Sequence, residues 1–169
     1  MTISMHSASV PVFTRMLRNL SRWIELAEKH AGERKYEPAV LLSARLAPDM
    51  LPFTRQVQIA CDGAKFCVAR LAGVEPPRDA DDETTVAELQ ARIARTLAFV
   101  ASVTPAQVDG TEDKDITIPR RDGSMVMKGE PYLTSFVLPN LFFHVTTAYA
   151  LLRHNGVPLG KADYLGALS

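Results

Sequence analysis

The sequence predicts an all-α protein, a four-helix bundle with a small β-hairpin inserted before the last helix. Four stretches carry apolar residues at three- and four-residue steps, the spacing that places them on one face of a helix. Proline and glycine separate these stretches, and two β-prone runs flank Asp122–Gly123. With 169 residues and 47% hydrophobic content, the chain is expected to form a single domain over residues 1–169.

The first predicted helix runs from about Ser7 to His30. Its apolar residues recur on one face, and its arginines lie mostly off that face. Pro11 fits only near the first turn, because proline has no amide hydrogen to donate further along a helix. Gly32 is the expected stop, and a connector over residues 33–48 follows.

A second helix is expected to start at Asp49, which is a good N-cap residue, and to stop at Gly73. Pro52 still falls within its first turn. The next segment, residues 74–83, reads VEPPRDADDE. Its polar composition and adjacent prolines predict a loop.

Thr85 and Glu88 have the spacing of a capping box, which predicts that a third helix starts here. Pro105 marks the end of this helix. Ile116–Ile118 and Met125–Met127 are then the two strands of the predicted hairpin.

The last predicted helix extends from Pro131 to Asn155, with Gly156 as its stop, and it is the most apolar segment of the chain. Pro139 lies inside it. Because proline cannot donate the hydrogen bond that a helix requires at that point, it predicts a kink or a locally broken turn.

Two polar residues, Asn140 and His144, lie four residues apart on the side of this helix that should be buried. Buried polar groups must be hydrogen-bonded or bound to a ligand, because an unpaired one is costly. Gln56 on the second helix is a candidate partner. His144 is therefore interpreted as a core histidine paired within the protein, as a ligand-binding or catalytic group, or as a metal ligand.

Arg45 and Arg55 flank the start of the second helix. They are interpreted either as members of surface ion pairs, which are common and weak, or as the mouth of a cleft that binds an anion. Together with Gln56, Asn140 and His144 they make up the candidate ligand-binding residues. The candidate catalytic residue is His144.

The composition narrows the classes of partner. The 19 basic and 19 acidic side chains cancel, so nucleic acid is not expected as a partner. No segment offers about 18 uninterrupted apolar residues, so no membrane span is expected. The N-terminal segment lacks the features of a signal peptide, and Cys61 and Cys67 have neither redox nor metal-ligand spacing. A cytoplasmic location is the resulting expectation.

Four blocks of the sequence resemble the DUF1993 family of uncharacterised bacterial proteins. They are MTISMHSASVPVFTRMLRNL, SARLAPDMLPFTRQVQIACDGAK, DITIPRRDGSMVMKGEPYL and NLFFHVTTAYALLRHNGVPLGKADYLG. By fold that family belongs to the DinB/YfiT-like four-helix bundles, many of which are metal-dependent thiol transferases or damage-inducible proteins. Such proteins are commonly homodimeric, so the resemblance implies a homodimer.

The wider superfamily carries a metal site of three histidines, one on the second helix and two in an HxxxH motif on the last helix. His144 matches the second histidine of that motif, and Asn140 stands where the first would be. The expected second helix, from Asp49 to Gly73, contains no histidine. The resemblance therefore implies that the metal cofactor is lost, or that a polar pocket replaces its site.

The expected function is that of a DinB-like bundle that binds a small molecule without a metal, or that has a structural or interaction role, with a polar core cluster around His144. The alternative is a transferase or hydrolase in which His144 acts as a base and Arg45 or Arg55 binds an anionic substrate. An enzyme with an atypical metal site, completed by Asp62 or by solvent, ranks last.

Overall fold

The computed structural model describes residues 3–167, and within them four long helical runs form a bundle. In chain order the elements are α1 (Met5–Arg34), α2 (Ala39–Leu42), α3 (Phe53–Ala72), α4 (Val86–Ser102), α5 (Pro105–Val108), β1 (Asp115–Arg120), β2 (Gly123–Lys128), α6 (Gly129–Pro131), a π-helical segment (Tyr132–Val137), α7 (Leu138–His154) and α8 (Lys161–Leu165). The two strands pair antiparallel, with Ile116 opposite Met127. The predicted fold class, a helical bundle with a hairpin before its last helix, is confirmed.

The first helix begins at Met5, two residues earlier than predicted, because Ser4 caps it. The Ser4 hydroxyl accepts the Ser7 amide hydrogen at 3.2 Å, and the Ser4 amide donates to the Ser7 hydroxyl at 2.8 Å. This reciprocal pair is a capping box, which satisfies amide hydrogens that the helix itself leaves free.

The prediction that α1 stops at Gly32 was wrong, since the helix continues to Arg34. Lys35 takes the left-handed conformation with φ of 60°, and its amide donates to the carbonyls of Ala31 and Gly32. Glycine permits a left-handed turn but does not require one, so its presence alone did not locate the helix end.

The start predicted for α3, at Asp49, was also wrong. The helix begins at Phe53, and Pro52 precedes it in extended conformation. A residue that comes before proline is disfavoured from the helical region, so Leu51 interrupts any helix that would start further upstream. The predicted stop is confirmed, because Gly73 ends the helix in left-handed conformation with φ of 72°.

The third long helix, α4, begins as predicted. Glu88 donates its amide hydrogen to the Thr85 hydroxyl at 3.2 Å, and the Glu88 carboxylate accepts the Thr85 amide hydrogen at 2.9 Å. This is the capping box that the sequence spacing indicates.

The broken turn predicted at Pro139 lies just before it, in the π-helical segment Tyr132–Val137. The Leu138 amide donates to the Leu133 carbonyl, five residues back. Pro139 has no amide hydrogen to continue the ladder, and the wider register directly precedes it. Beyond this point α7 runs regularly to His154.

The core lies between α1, α3, α4 and α7. Its largest buried side chain is Trp23, whose ring packs 5.6 Å from Tyr149 and 5.7 Å from Tyr164. The indole N–H donates to the Asp163 carbonyl at 3.2 Å. Trp23 thereby ties the segment around α8 to the bundle.

The run Gly129–His154 is long and apolar enough, by length and composition alone, to cross a membrane. Apolar helices in the cores of soluble proteins have the same two properties. In this fold α7 buries one face against α1 and α3, while Phe142 and Phe143 on it are exposed.

The loop predicted at residues 74–83 is held onto the bundle by a buried ion-pair network centred on Arg92. The Arg92 side chain is 0% exposed and contacts Asp62 at 2.9 Å, Asp81 at 2.6 Å and Glu83 at 3.1 Å. It also donates to the Gln58 carbonyl at 3.5 Å. Within residues 3–167 its Nε is the one buried side-chain polar atom without a partner.

A second buried cation, Lys65, extends the network. Lys65 is 2% exposed and contacts Asp79 at 2.7 Å and Asp62 at 3.0 Å. Two more arginines join the network, since Arg95 lies 2.9 Å from Asp79 and Arg55 lies 3.0 Å from Asp81. The network then contains four cations and four carboxylates. The charges therefore balance, which makes their burial tolerable.

Replacing Arg92 by Ala should lower the free energy of unfolding by about 3–5 kcal/mol, because it leaves buried carboxylates without their counter-charge. The matched control is Arg95→Ala, since the Arg95 side chain is 57% exposed. Its partner Asp79 is buried but keeps Lys65 as a counter-charge, so this loss should be smaller, about 0–1 kcal/mol. Urea unfolding of both variants measures the difference, and equal losses would contradict a central role for Arg92.

Candidate functional site

The candidate site is built around His144, which α7 presents to α3. The side chain is 9% exposed. Its Nδ1 lies 2.7 Å from Oε1 of Gln56, a buried residue on α3. The amide nitrogen of Gln56 donates to the Leu51 carbonyl at 2.9 Å. The structure thus pairs the two residues that the sequence offered as partners.

These contacts define the state of the imidazole. Because the amide nitrogen of Gln56 is committed to Leu51, its oxygen faces His144 and accepts the Nδ1 hydrogen. The other ring nitrogen, Nε2, has no hydrogen-bond partner within residues 3–167. It is not fully buried, so solvent can reach it. Burial lowers the pKa of His144 below its ordinary value. At neutral pH the ring is therefore uncharged, with a lone pair on Nε2.

Asn140 lies one turn before His144 on α7 but does not join this pair. Its side chain is half-buried beside Gly63 of α3, where a Cβ atom added to the glycine would lie 3.6 Å from Asn140 Nδ2. The order of contacts, Gln56 with His144 and Gly63 with Asn140, makes α3 and α7 antiparallel.

Asn140 instead lines a pocket of about 200 Å³ between α3, β1 and the π-helical segment, which we call the seam pocket. Its lining includes Asp62, Phe66, Arg70, Tyr132, Phe136 and Asn140, with Ile118 of the hairpin. The surface is largely apolar and includes a few polar groups. Of this set, the sequence predicted only Asn140 and Asp62 as site residues, because the others come from separate elements and share no motif.

The two arginines proposed as a cleft mouth are engaged elsewhere. Arg55 donates to Gln58 at 2.7 Å and to Asp81 at 3.0 Å, and so belongs to the ion-pair network. Arg45 donates to the carbonyl of Met50. Neither lines the seam pocket.

The residues do not fit the three-histidine metal site that the resemblance to DinB-like proteins brings to mind. Zinc-type ions are bound by histidine, cysteine and carboxylate groups. Here the side-chain oxygen of Gln56 accepts a hydrogen bond from His144, and the Asp62 carboxylate forms ion pairs with Lys65 and Arg92. Within residues 3–167 no three His, Cys, Asp or Glu side chains form a group that could hold a metal ion.

The cysteines are equally unsuited to nucleophilic chemistry. Cys61 and Cys67 are both fully buried. Burial raises the pKa of Cys61 to about 12 and raises that of Cys67 as well. Since the thiolate is the reactive form, both residues act as small apolar core groups.

The chain is similar to a known protein family and to a solved structure. Residues 5–165 match the family described as a domain of unknown function, DUF1993. The solved structure of a DinB family member protein from Shewanella denitrificans is 44% identical, with a TM-score of 0.91. The alignment covers 96% of this chain and 92% of that one. No curated protein matches the chain.

Replacing His144 by Ala should lower the free energy of unfolding by about 1–3 kcal/mol at pH 7.5, because it leaves the buried Gln56 oxygen unpaired. Since folding lowers the pKa of His144, its neutral form stabilises the fold above the unfolded-state pKa of about 6.5. That contribution is lost as the pH falls through the folded-state pKa.

The difference between wild type and His144→Ala should therefore be largest at pH 7.5 and shrink toward pH 5. His154→Ala is the control, because His154 is exposed at the end of α7. Its effect should stay within about 0.5 kcal/mol. Urea unfolding across this pH range tests the pairing, and a pH-independent difference would count against it.

Proposed function

This chain belongs to the DUF1993 family and has the fold of a DinB family protein, and we propose that it binds a small organic molecule in the seam pocket without a resident metal ion. The observation that carries the proposal is the composition of that pocket. Its lining combines mostly apolar side chains with a few polar groups, which is the usual composition of a small-molecule site.

The backbone beside the pocket supports the same proposal. Tyr132, Phe136 and Val137, which line it, all belong to the π-helical segment. Such segments are rare in proteins and are frequently found at functional sites. The wider register gives this part of the last helical run a different side-chain arrangement from a regular α-helix.

The proposal includes the setting of the protein. We place it in the cytoplasm as a homodimer, without nucleic acid as a partner. The zero formal charge supports the expectation that nucleic acid is not a partner. The resemblance to a superfamily that is commonly dimeric supports the homodimer. The exposed side chains of Phe142 and Phe143 on α7 support it as well.

A transferase or hydrolase activity is the second candidate, and the state of His144 favours it. A general base needs a neutral imidazole held in one orientation. Gln56 supplies that orientation through Nδ1, and Nε2 is the nitrogen that would accept a proton. With both cysteines buried, the attacking group in this alternative is water or a group on the substrate.

Gly63 offers a direct test of the seam pocket. A Cβ atom at Gly63 meets its nearest neighbour at an ordinary 3.6 Å, so Gly63→Ala should leave ligand binding intact. Gly63→Leu extends a side chain into the pocket that the glycine lines, and should abolish binding. Both changes remove a glycine from a helix interior, which favours the helix.

Binding is measured by amide chemical-shift changes in NMR titrations with benzoate, benzamide and benzylamine. At least one probe should shift signals of the seam pocket in wild type and Gly63→Ala, but not in Gly63→Leu. The proposal fails if no probe shifts these signals, or if Gly63→Leu binds as the wild type does.

A further inference from the structure

One cation of the seam pocket is held in place without a counter-charge. The guanidinium of Arg70 lies 5.2 Å from the ring centre of Phe66 and 6.0 Å from that of Tyr132. Its Nη1 donates to the Tyr132 hydroxyl at 2.9 Å. Within residues 3–167 Arg70 forms no ion pair. Aromatic contacts rather than a carboxylate therefore fix this arginine.

Tyr132 supplies a second donor at the same place. Its side chain is 1% exposed, and its hydroxyl oxygen accepts from Arg70. Burial raises the pKa of Tyr132 to about 12, so the hydroxyl keeps its hydrogen at neutral pH. That hydrogen has no acceptor within residues 3–167, although buried donors are normally paired.

The remaining charge on the pocket lining is already compensated. Asp62 lies 3.0 Å from Lys65 and 2.9 Å from Arg92, both of which are buried. The uncompensated charge of the pocket is thus the positive charge of Arg70. Phe136, whose ring stacks on that of the buried Tyr132 at 6.1 Å with an angle of 22°, adds a flat apolar surface beside it.

Resting on the proposed function of the seam pocket, we infer that its ligand is a small aromatic carboxylate, bound through Arg70 and the Tyr132 hydroxyl. The planar guanidinium fork matches the two oxygens of a carboxylate. The flat ring of the ligand packs on Phe66 and Phe136. A volume of about 200 Å³ suits a single-ring molecule, since it lies below the roughly 300–1,000 Å³ usual for drug-sized ligands.

The test compares benzoate with benzamide, which has nearly the same shape but no charge, by NMR titration of the full chain. Benzoate should bind at least about tenfold more tightly than benzamide, which corresponds to about 1.4 kcal/mol. Arg70→Gln should remove this preference, and Arg70→Lys should keep part of it. Arg153→Gln is the matched control, because Arg153 is an exposed arginine of α7 outside the pocket, and it should leave the preference unchanged.

The outcomes separate this inference from the proposed function. Equal binding of benzoate and benzamide, or a preference that survives Arg70→Gln, overturns the carboxylate assignment. Where binding remains sensitive to Gly63→Leu in that case, the seam pocket still stands as a ligand site. If neither benzoate nor benzamide shifts signals of the pocket, the inference falls, and the proposed function falls with it only if benzylamine shifts none either. If Arg70→Gln does not fold, loss of the preference in Arg70→Lys would overturn the assignment.

Discussion

Helices α3 and α7 run antiparallel along the middle of the bundle, and the positions of the polar groups follow from their contact. Gly63 faces Asn140 at one level, and Gln56 meets His144 further along. Because Asn140 and His144 have different neighbours on α3, the seam holds a paired imidazole and an open pocket as separate features. The ion-pair network around Arg92 fastens the loop before α4 to α3 and α4, and so holds the pocket residue Asp62 in place.

The seam carries a neutral imidazole and, separately, a pocket whose uncompensated charge is that of Arg70. One imidazole and two amides do not make the donor set that zinc-type ions need. Gln56 fixes the ring of His144, whereas Asn140 belongs to the pocket. The resemblance to DinB-like proteins thus describes the fold of this chain.

Local patterns in the sequence predicted much of the fold. Apolar periodicity located the long helices, and the spacing of Thr85 and Glu88 located the start of α4. The pairing of Gln56 with His144 was within reach, because each stands out as a polar residue on an apolar face. Contacts between positions far apart in the sequence could not be predicted in this way. Arg70 and Tyr132 are 62 residues apart. Arg92 forms ion pairs with carboxylates of a loop whose composition indicates only that it is exposed to solvent.

We propose that the seam between α3 and the last helical run is a site for an organic ligand. A crystal structure of the protein grown with benzoate tests it directly. The carboxylate should lie within hydrogen-bond distance of Arg70 and the Tyr132 hydroxyl, with the ring against Phe66 and Phe136. Benzoate bound only outside the seam pocket, or a metal ion bound to His144, would contradict it.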